Sequence, residues 1–386
     1  MRAGRALGRP RRPQAEAAQR AAPVLALCLF VAWAAWAGGG CGFRVAARAP
    51  APAEGVPRPA RLPGPGCAAP ARASGSALLM DTLVRVEAWG PPGSAPRVQA
   101  AVSRAIRVMA GLDESLDFYS PGSAVGRLNA RSGGGWVEVG PEAYGCLRLA
   151  LELARFSGGS FDPTVGPLVR LWGFGGRPRV PSAAELRCAL ELVGFEGLEL
   201  GPEFQARLVK PGAAVDLGAI AKGYAVDRAA EVLRQGGVSG GLVVAGGCVF
   251  ALGRREDGRA WRVAVQGPRD PTRALTDIEL VDRAVDTSGD YQRWFESGGR
   301  RYHHVLDPTT GMPAQGLVSA TVVGRRAVEA DALATAALVL GPARGLEMLR
   351  RRPGVEALLV DEEGRVLCTP GFPGRAPSRC PGVGKA

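Results

Sequence analysis

Two periods of apolar residues run through the chain after residue 76. Alternation over residues 78–89 predicts a strand, and apolar residues three and four apart after Ser94 predict the first helix. Helix-terminal residues predict four more helices, which begin at Pro141, at the capping box of Ser182 and Glu185 (ending at Gly194), after Leu217 and at Val328. Later strands are predicted at residues 241–245, 261–265 and 317–323, followed by a hairpin of residues 358–360 with 366–367.

These elements mix helices and strands without regular alternation or an internal repeat. The pattern predicts the α+β class, with a single mixed α/β domain over residues 76–372. Residues 44–75 are rich in Pro, Ala and Gly and have no apolar period, so we expect a disordered linker there. Residues 373–386 are expected to form a flexible tail.

The N-terminal segment, residues 1–43, has the order of a targeting signal. Arginines 2, 5, 9, 11 and 12 precede an uncharged apolar run of 14 residues, 24–37, and small residues then lead to Cys41. The uncharged stretch continues to Phe43, so a retained anchor of roughly 20 residues is an alternative to a cleaved signal. Cys41 resembles a bacterial lipoprotein cleavage site, although Gly38 stands where that pattern prefers Leu. The expected location is the periplasmic side of the bacterial inner membrane, with the protein lipid-anchored or tethered.

Charge and cysteine usage narrow the range of functions. The net charge is +12, but residues 1–75 contain 11 arginines and two glutamates and account for +9 of it. The remaining domain is nearly neutral, which argues against nucleic acid as a partner. Eight cysteines without a CxxC pair and only two histidines argue against structural zinc. Cys368 and Cys380 are candidates for a disulfide in an oxidising compartment.

One acidic residue stands out in the apolar helix predicted over residues 328–340. Asp331 is the only charged residue between Ala330 and Ala343. A buried carboxylate needs a partner, which is either an arginine or a cation. Thr335 lies one turn further along the same face, and a carboxylate with a hydroxyl would suit Mg²⁺.

Both histidines of the chain lie next to an Asp-Pro turn. In a strand, His303 and His304 face opposite ways, so at most one enters a given site. We favour His304 as a base that takes a proton from a hydroxyl, with Asp307 close by in sequence; a structural histidine is the alternative.

A second candidate segment follows Asp216, where small residues occupy a strand-to-helix turn. Such a turn brings backbone amides near a phosphate, and Lys222 would reach it as well. A tight structural turn explains the same residues equally well. Residues 237–241 match GxSxG, the serine hydrolase elbow, but a predicted helix precedes Ser239 and a strand follows it, which is the reverse of the elbow's context.

Taken in order, several segments over residues 80–340 resemble the FAD:protein FMN transferases, the ApbE flavin transferase family. They are residues 80–82 (MDT), 119–129 (YSPGSAVGRLN), 161–168 (FDPTVGPL), 172–175 (WGFG), 216–227 (DLGAIAKGYAVD), 304–313 (HVLDPTTGMP) and 329–336 (EADALATA). The resemblance implies a domain of the flavin-transferase type, with FAD in a cleft between two lobes.

The resemblance also implies roles for individual residues. Asp331, Thr335 and the Ala219 carbonyl match the ligands of Mg²⁺, and His304 and Asp307 match the catalytic loop. The positions that line the FAD site, several through backbone groups, are Met80, Tyr119, Ser160, Phe161, Asp162, Asp216, Lys222, Leu306 and Ala334. Two departures are Asp81, where the family usually has Gly, and Cys248, where an acidic or amide residue commonly follows the paired glycines.

The implied reaction is Mg²⁺-dependent transfer of FMN from FAD to a Thr or Ser hydroxyl of an acceptor protein, with release of AMP. The implied acceptor is a protein such as a flavinylated subunit of a membrane respiratory complex. The alternatives are an FAD pyrophosphatase giving FMN and AMP, a flavin-binding lipoprotein without turnover and, outside this family, a serine hydrolase using Ser239.

Overall fold

The computed structural model describes residues 69–380. The predicted targeting segment, the linker up to residue 68 and the last six residues lie outside this part. The strands are β1 Ala71–Leu79, β2 Thr82–Gly90, β3 Val137–Glu138, β4 Leu198–Leu200, β5 Gln205–Leu208, β6 Gly240–Ala245, β7 Cys248–Gly253, β8 Trp261–Gln266, β9 Ala274–Leu280, β10 Arg283–Gly289, β11 Trp294–Ser297, β12 Arg300–His303, β13 Leu317–Gly324, β14 Glu356–Asp361 and β15 Val366–Cys368. The α-helices are α1 Ala95–Leu116, α2 Ala124–Ala130, α3 Gly140–Phe156, α4 Gly166–Trp172, α5 Ala183–Leu190, α6 Ala221–Gln235 and α7 Ala327–Arg350.

An eight-stranded sheet organises the domain, in the order β1-β2-β6-β7-β10-β13-β14-β15. Every neighbouring pair in it is antiparallel. Successive side chains of a strand face opposite sides, so Cys248 and Phe250 of β7 join the core beneath α1, α6 and α7, whereas Val249 joins the core on the other face. The predicted α+β class is confirmed.

The predicted first strand is two strands. Met80 and Asp81 form the turn between β1 and β2 and both have positive φ, 52° and 56°. Neither residue is a glycine or asparagine, so the turn lacks its usual signal in the sequence. β1 begins at Ala71, five residues before the expected domain boundary, and pairs with β2 along its whole length.

The C-terminal residues 372–380 are packed rather than loose, which differs from the expected tail. Phe372 and Cys380 belong to the core on the far face of the sheet, together with the β8–β9 hairpin. Gly374 bridges to Ile278, and Arg379 bridges to Arg365. Cys368 is exposed, Cys380 is buried, and the two do not form a disulfide.

α7 is apolar on all sides because it is enclosed by the sheet, α6 and α3. Among the described residues it is the one helix long and apolar enough to cross a membrane, and most of it is buried inside the protein as a core helix. Its regular geometry breaks at Gly341 (φ 75°, ψ −178°), which Pro342 follows. The predicted end at residue 340 coincides with this break. α5, in contrast, ends at Leu190, before the predicted stop at Gly194.

Candidate functional site

Helices α6 and α7, which carry the candidate residues Lys222 and Asp331, pack closely against each other. Asp331 on α7 accepts a hydrogen bond from the backbone N–H of Gly223 on α6 (2.8 Å). Asp227 on α6 accepts the N–H groups of Ala327 and Val328 at the start of α7 (2.7 and 3.2 Å). The approach requires glycine, since a Cβ at Gly223 would lie 2.3 Å from the Ala327 carbonyl oxygen.

The Asp331 carboxylate caps the start of α6. Gly223 is the third residue of α6, and the first N–H groups of a helix have no partner within it. Asp331 Oδ2 accepts one of these groups, the Gly223 N–H. The Ala219 carbonyl belongs to the turn before the helix, two residues ahead of its first residue.

The ionic partner of Asp331 is a lysine. Asp331 is 1% exposed, and Lys222 Nζ lies 3.5 Å from its Oδ1 while also donating to the Gly218 carbonyl (3.2 Å). Burial lowers the pKa of Lys222, but the carboxylates of Asp331 and Asp286 outweigh it and the pKa is raised. The ammonium is thus charged and is held beside the carboxylate.

Thr335 points across to the sheet rather than only along its helix. Its hydroxyl lies 3.2 Å from the Ser288 hydroxyl on β10. Two residues earlier on the same face of β10 is Asp286, which is 2% exposed. Burial, followed by the charge of Asp331, raises the pKa of Asp286 to about 7, with smaller lowering contributions from Lys222, Cys248 and Ser288.

The oxygen donors fit a hard divalent cation. No group of three or more His, Cys, Asp and Glu side chains between residues 69 and 380 forms a metal cluster. Asp331 and the Thr335 hydroxyl, with the Ala219 carbonyl in the turn before α6, are a small set of candidate oxygens instead. Such a set suits Mg²⁺, which keeps positions for water or phosphate.

His304 has a defined tautomer. Its backbone N–H and its Nδ1 both face the Arg293 carbonyl, at 3.1 and 3.3 Å. A carbonyl only accepts, so Nδ1 carries the proton and Nε2 keeps its lone pair. Burial and the charge of Arg293 lower the pKa of His304 to about 3, so the ring is neutral near pH 7.

Asp307 shapes the loop that follows His304. Its Oδ1 accepts from the backbone N–H and the hydroxyl of Thr309 (2.8 and 2.7 Å), and its Oδ2 accepts from the Thr310 hydroxyl (3.1 Å). Trp172 supports the same loop by donating to the Gly311 carbonyl (2.7 Å). Asp307 thus bonds within its own loop, while the ring of His304 contacts the Arg293 carbonyl.

A polar rim surrounds these groups. Tyr119, 55% exposed, packs against Gly175, and burial followed by the charge of Asp216 raises its pKa. Asp216 accepts the Gly218 N–H (2.7 Å), and its pKa is raised by burial and lowered in part by this bond and by Arg293. Arg293 also pairs with Asp81 (3.2 Å) across the β1–β2 turn.

The remaining residues predicted to contact FAD are either bonded within the protein or have buried side chains. Asp162 accepts the Thr164 N–H and hydroxyl and the Phe195 N–H, and burial raises its pKa despite these bonds. Met80 donates its N–H to Asp113 (3.0 Å). The side chains of the other four are buried, which leaves chiefly their backbone groups for a ligand: Ser160, Phe161, Leu306 and Ala334.

Ser239 does not join the site. α6 precedes it, β6 follows it, and its N–H donates to the Trp89 carbonyl (2.8 Å). It lies beyond the C-terminal end of α6, whereas Lys222 and Gly223 lie in the first turn, about 20 Å away by helical rise. The serine hydrolase alternative therefore lacks a histidine partner at this serine.

Asp286, Ser288 and Arg293 were missed by sequence reasoning. Asp286 lies in a segment with several polar residues, which in the sequence looks like a solvent-exposed edge strand. The structure shows instead that this strand is paired on both sides and that Asp286 is buried. Arg293 is one arginine among many in the chain, and the nearest signal was the unusual Asp81 with which it pairs.

The fold and these contacts define a mixed α+β protein with a candidate cation site beside a neutral histidine and basic groups. In sequence, residues 80–359 match the family model described as the ApbE family. The FAD:protein FMN transferase of Treponema pallidum (strain Nichols) is 36% identical over 313 residues, 76% of this chain and 86% of that protein. The chain belongs to the ApbE family.

Solved structures agree with this assignment. The ApbE protein of Thermotoga maritima has a TM-score of 0.72 and 33% identity, covering 78% of this chain and 97% of its own. The flavin transferase ApbE from Vibrio cholerae has a TM-score of 0.71 and 30% identity, covering 79% of this chain and 99% of its own. The resemblance inferred from the sequence motifs is confirmed.

Proposed function

We propose that this protein transfers the FMN moiety of FAD to a Thr or Ser hydroxyl of an acceptor protein and releases AMP. The acceptor oxygen forms a bond to the FMN phosphorus, the bond from that phosphorus to the bridging oxygen breaks, and AMP leaves with the electron pair. The observation that carries the proposal is the buried Asp331, with Thr335 one turn further on the same helix, held against the first turn of α6 and its Lys222. Membership of a family whose relatives are named FAD:protein FMN transferases supports it.

Asp331, Thr335 and the Ala219 carbonyl would hold Mg²⁺. When bound, the cation neutralises charge on the phosphate oxygens of the substrate. Lys222 and the amides near Gly218 would contact the same phosphates. Phosphoryl transfer depends mainly on such positioning and charge stabilisation, so few side chains are needed.

His304 acts as the general base through Nε2. Its Nδ1–H is held by the Arg293 carbonyl, so the lone pair of Nε2 is available for the acceptor hydroxyl proton. Asp307 maintains the loop geometry through Thr309 and Thr310. FAD would occupy a cleft between two lobes, with Tyr119, Asp216 and Arg293 at its rim and the Tyr119 ring available for stacking on an aromatic ring system.

We also propose that the protein acts outside the cytoplasmic membrane, held there by its N-terminal segment. A leader with the order of an export signal supports this location. The acceptor would then be an exported or membrane-bound protein, such as a flavinylated subunit of a respiratory complex.

The test uses the full-length protein with FAD, Mg²⁺ and an acceptor subunit, and measures AMP together with the acceptor mass. We expect AMP and an acceptor heavier by one FMN unit. Asp331→Ala should abolish turnover, and Ser239→Ala, the matched control, should leave the rate at the wild-type level. AMP without a modified acceptor would indicate hydrolysis instead, and bound FAD without either product would indicate a carrier.

A further inference from the structure

A second carboxylate is buried beside the proposed cation site. Asp286 is 2% exposed, and its Oδ1 is a buried oxygen without a hydrogen-bond partner in the described part of the chain. Leaving a buried carboxylate oxygen without a partner is costly. An apolar residue at this position would avoid that cost, so the unpartnered Oδ1 indicates a ligand beyond the Cys248 and Ser288 contacts of this carboxylate.

Chain direction places Asp286 level with Asp331. β10 is antiparallel to β13, and only two residues separate the end of β13 from the start of α7, so the first half of α7 runs back over the sheet in the direction of β10. Ser288 contacts Thr335. Two residues back along the strand is about 6.6 Å, and four residues back along the helix is about 6 Å. Asp286 and Asp331 therefore lie at the same height.

The opposite strand agrees with this placement. Val285 pairs with Val249 in the β10–β7 ladder, and continuing that register sets Asp286 opposite Cys248. Cys248 is fully buried on the same face of the sheet. The space around Asp286 is thus bounded by a thiol, the Ser288 hydroxyl, and the side of α7 that carries Asp331.

We propose that Asp286 is a second carboxylate of the cation site, which this chain supplies from β10. The inference rests on the proposed cation site. Asp331 and Lys222 alone would nearly cancel in charge, whereas Asp286 adds a second negative charge. The site then attracts a divalent cation before any nucleotide arrives.

The test is a titration of the full-length protein with Mn²⁺ alone, without nucleotide. Electron paramagnetic resonance measures the concentration of free Mn²⁺ at each step. Asp286→Asn keeps the shape of the side chain and removes its charge. We expect it to weaken Mn²⁺ binding at least tenfold, in the range of about 10- to 100-fold seen when groups that support a metal site are changed. Asp331→Asn should remove binding. Asp361→Asn, a buried carboxylate on β14 paired with Arg365, is the control and should bind as the wild type does.

The outcomes separate this inference from the proposed function. Wild-type binding by Asp286→Asn with loss in Asp331→Asn would overturn the role of Asp286 and keep the cation site. Wild-type binding by both variants would overturn the cation site itself. If Asp286→Asn does not fold, the exchange variant Cys248→Asp with Asp286→Ala decides: Mn²⁺ binding within tenfold of wild type supports the inference, and a folded exchange variant without binding overturns it.

Discussion

At the residue scale, the chemistry of His304 is set by the atom that its ring touches. The Arg293 carbonyl fixes the proton on Nδ1, and the nearby guanidinium of Arg293, with burial, keeps the ring neutral. The neutral ring keeps a lone pair at Nε2 for a proton, and the negative charge of a bound phosphate would raise its pKa towards the operating pH, where a general base is most effective. The neighbouring His303 is a structural histidine, with Nε2 bonded to the Ala314 carbonyl (2.8 Å).

The environments of the two imidazoles can be tested by their titration. The pKa of His304 is lowered to about 3 by burial and Arg293, and the pKa of His303 is lowered by burial. In the nucleotide-free protein, the His304 ring should not titrate between pH 7.5 and 5, and the His303 ring should titrate below pH 6.5. The measurement is proton NMR of the imidazole signals, which is simple because the chain has only two histidines. A His304 signal that titrates near pH 6.5 would contradict the assigned environment.

The lowered pKa values of the two histidines also affect how the stability of the fold depends on pH. An unfolded histidine takes up a proton near pH 6.5, whereas the folded rings do so only at lower pH. The unfolded chain therefore binds more protons as the pH falls below 6.5, and these two groups make the fold less stable there. His304→Gln should reduce the loss of unfolding free energy between pH 6.5 and 5, measured by urea denaturation.

The role of His304 in transfer gives a separate expectation. His304→Ala would remove the proposed base and none of the proposed phosphate contacts, so FAD binding should be retained while transfer slows by about 10²- to 10⁴-fold. Equilibrium binding of FAD and single-turnover acceptor labelling measure the two effects. A wild-type transfer rate would contradict the assignment.

At the element scale, the site depends on how closely α6 approaches α7. Gly223 allows that approach, and its N–H donates to Asp331 at the start of α6. Asp227 fixes the other end of the contact by capping α7. The two helices are therefore joined at both ends of one short overlap.

Gly223→Ala tests this contact. Its Cβ would lie 2.3 Å from the Ala327 carbonyl oxygen and 2.8 Å from Asp331 Cβ. We expect a loss of about 1–3 kcal/mol in unfolding free energy and weaker Mn²⁺ binding. Gly111→Ala in α1 is the matched control, because nothing lies within 4 Å of its added Cβ. That variant should gain about 0.5–1 kcal/mol from helix propensity, and a Gly223→Ala variant that behaves the same way would contradict the close approach.

At the scale of the whole molecule, the last described residues complete the far side of the sheet. Phe372 and Cys380 pack with Trp261, Ile278 and Val360 in the second core. The segment after β15 is therefore part of the folded domain.

Phe372→Ala measures that contribution. Phe372 is 9% exposed, and removing its ring should cost about 3–5 kcal/mol in unfolding free energy. Phe204→Ala, at a ring that is 48% exposed, should cost less than about 1 kcal/mol. Equal losses in urea denaturation would show that residues 372–380 do not cover the core.

Sequence reasoning succeeded where the signal was local. Asp331 and Thr335 are spaced by one helical turn, and the helix, its break and both side chains follow from that stretch of residues alone. It failed where the partner was distant in sequence. Asp286 faces α7, which follows it by about 40 residues, and Arg293 contacts both His304 and Asp81. Phe372 packs against a hairpin about 100 residues earlier in the chain. The β1–β2 turn was missed because its positive-φ residues are not glycines.

The break at Gly341 has a consequence for how the fold tolerates change in length. β13 and β14 are antiparallel neighbours, yet a doubled-back helical excursion joins them in place of a tight loop. Insertions or deletions beyond Pro342 fall on the returning arm of that excursion. The returning arm packs on the outgoing one, since a Cβ at Gly345 would lie 2.8 Å from the Ala337 carbonyl oxygen and Arg352 pairs with Glu329. A change of length is therefore tolerated only where it preserves these contacts, which support the helix that carries Asp331 and Thr335.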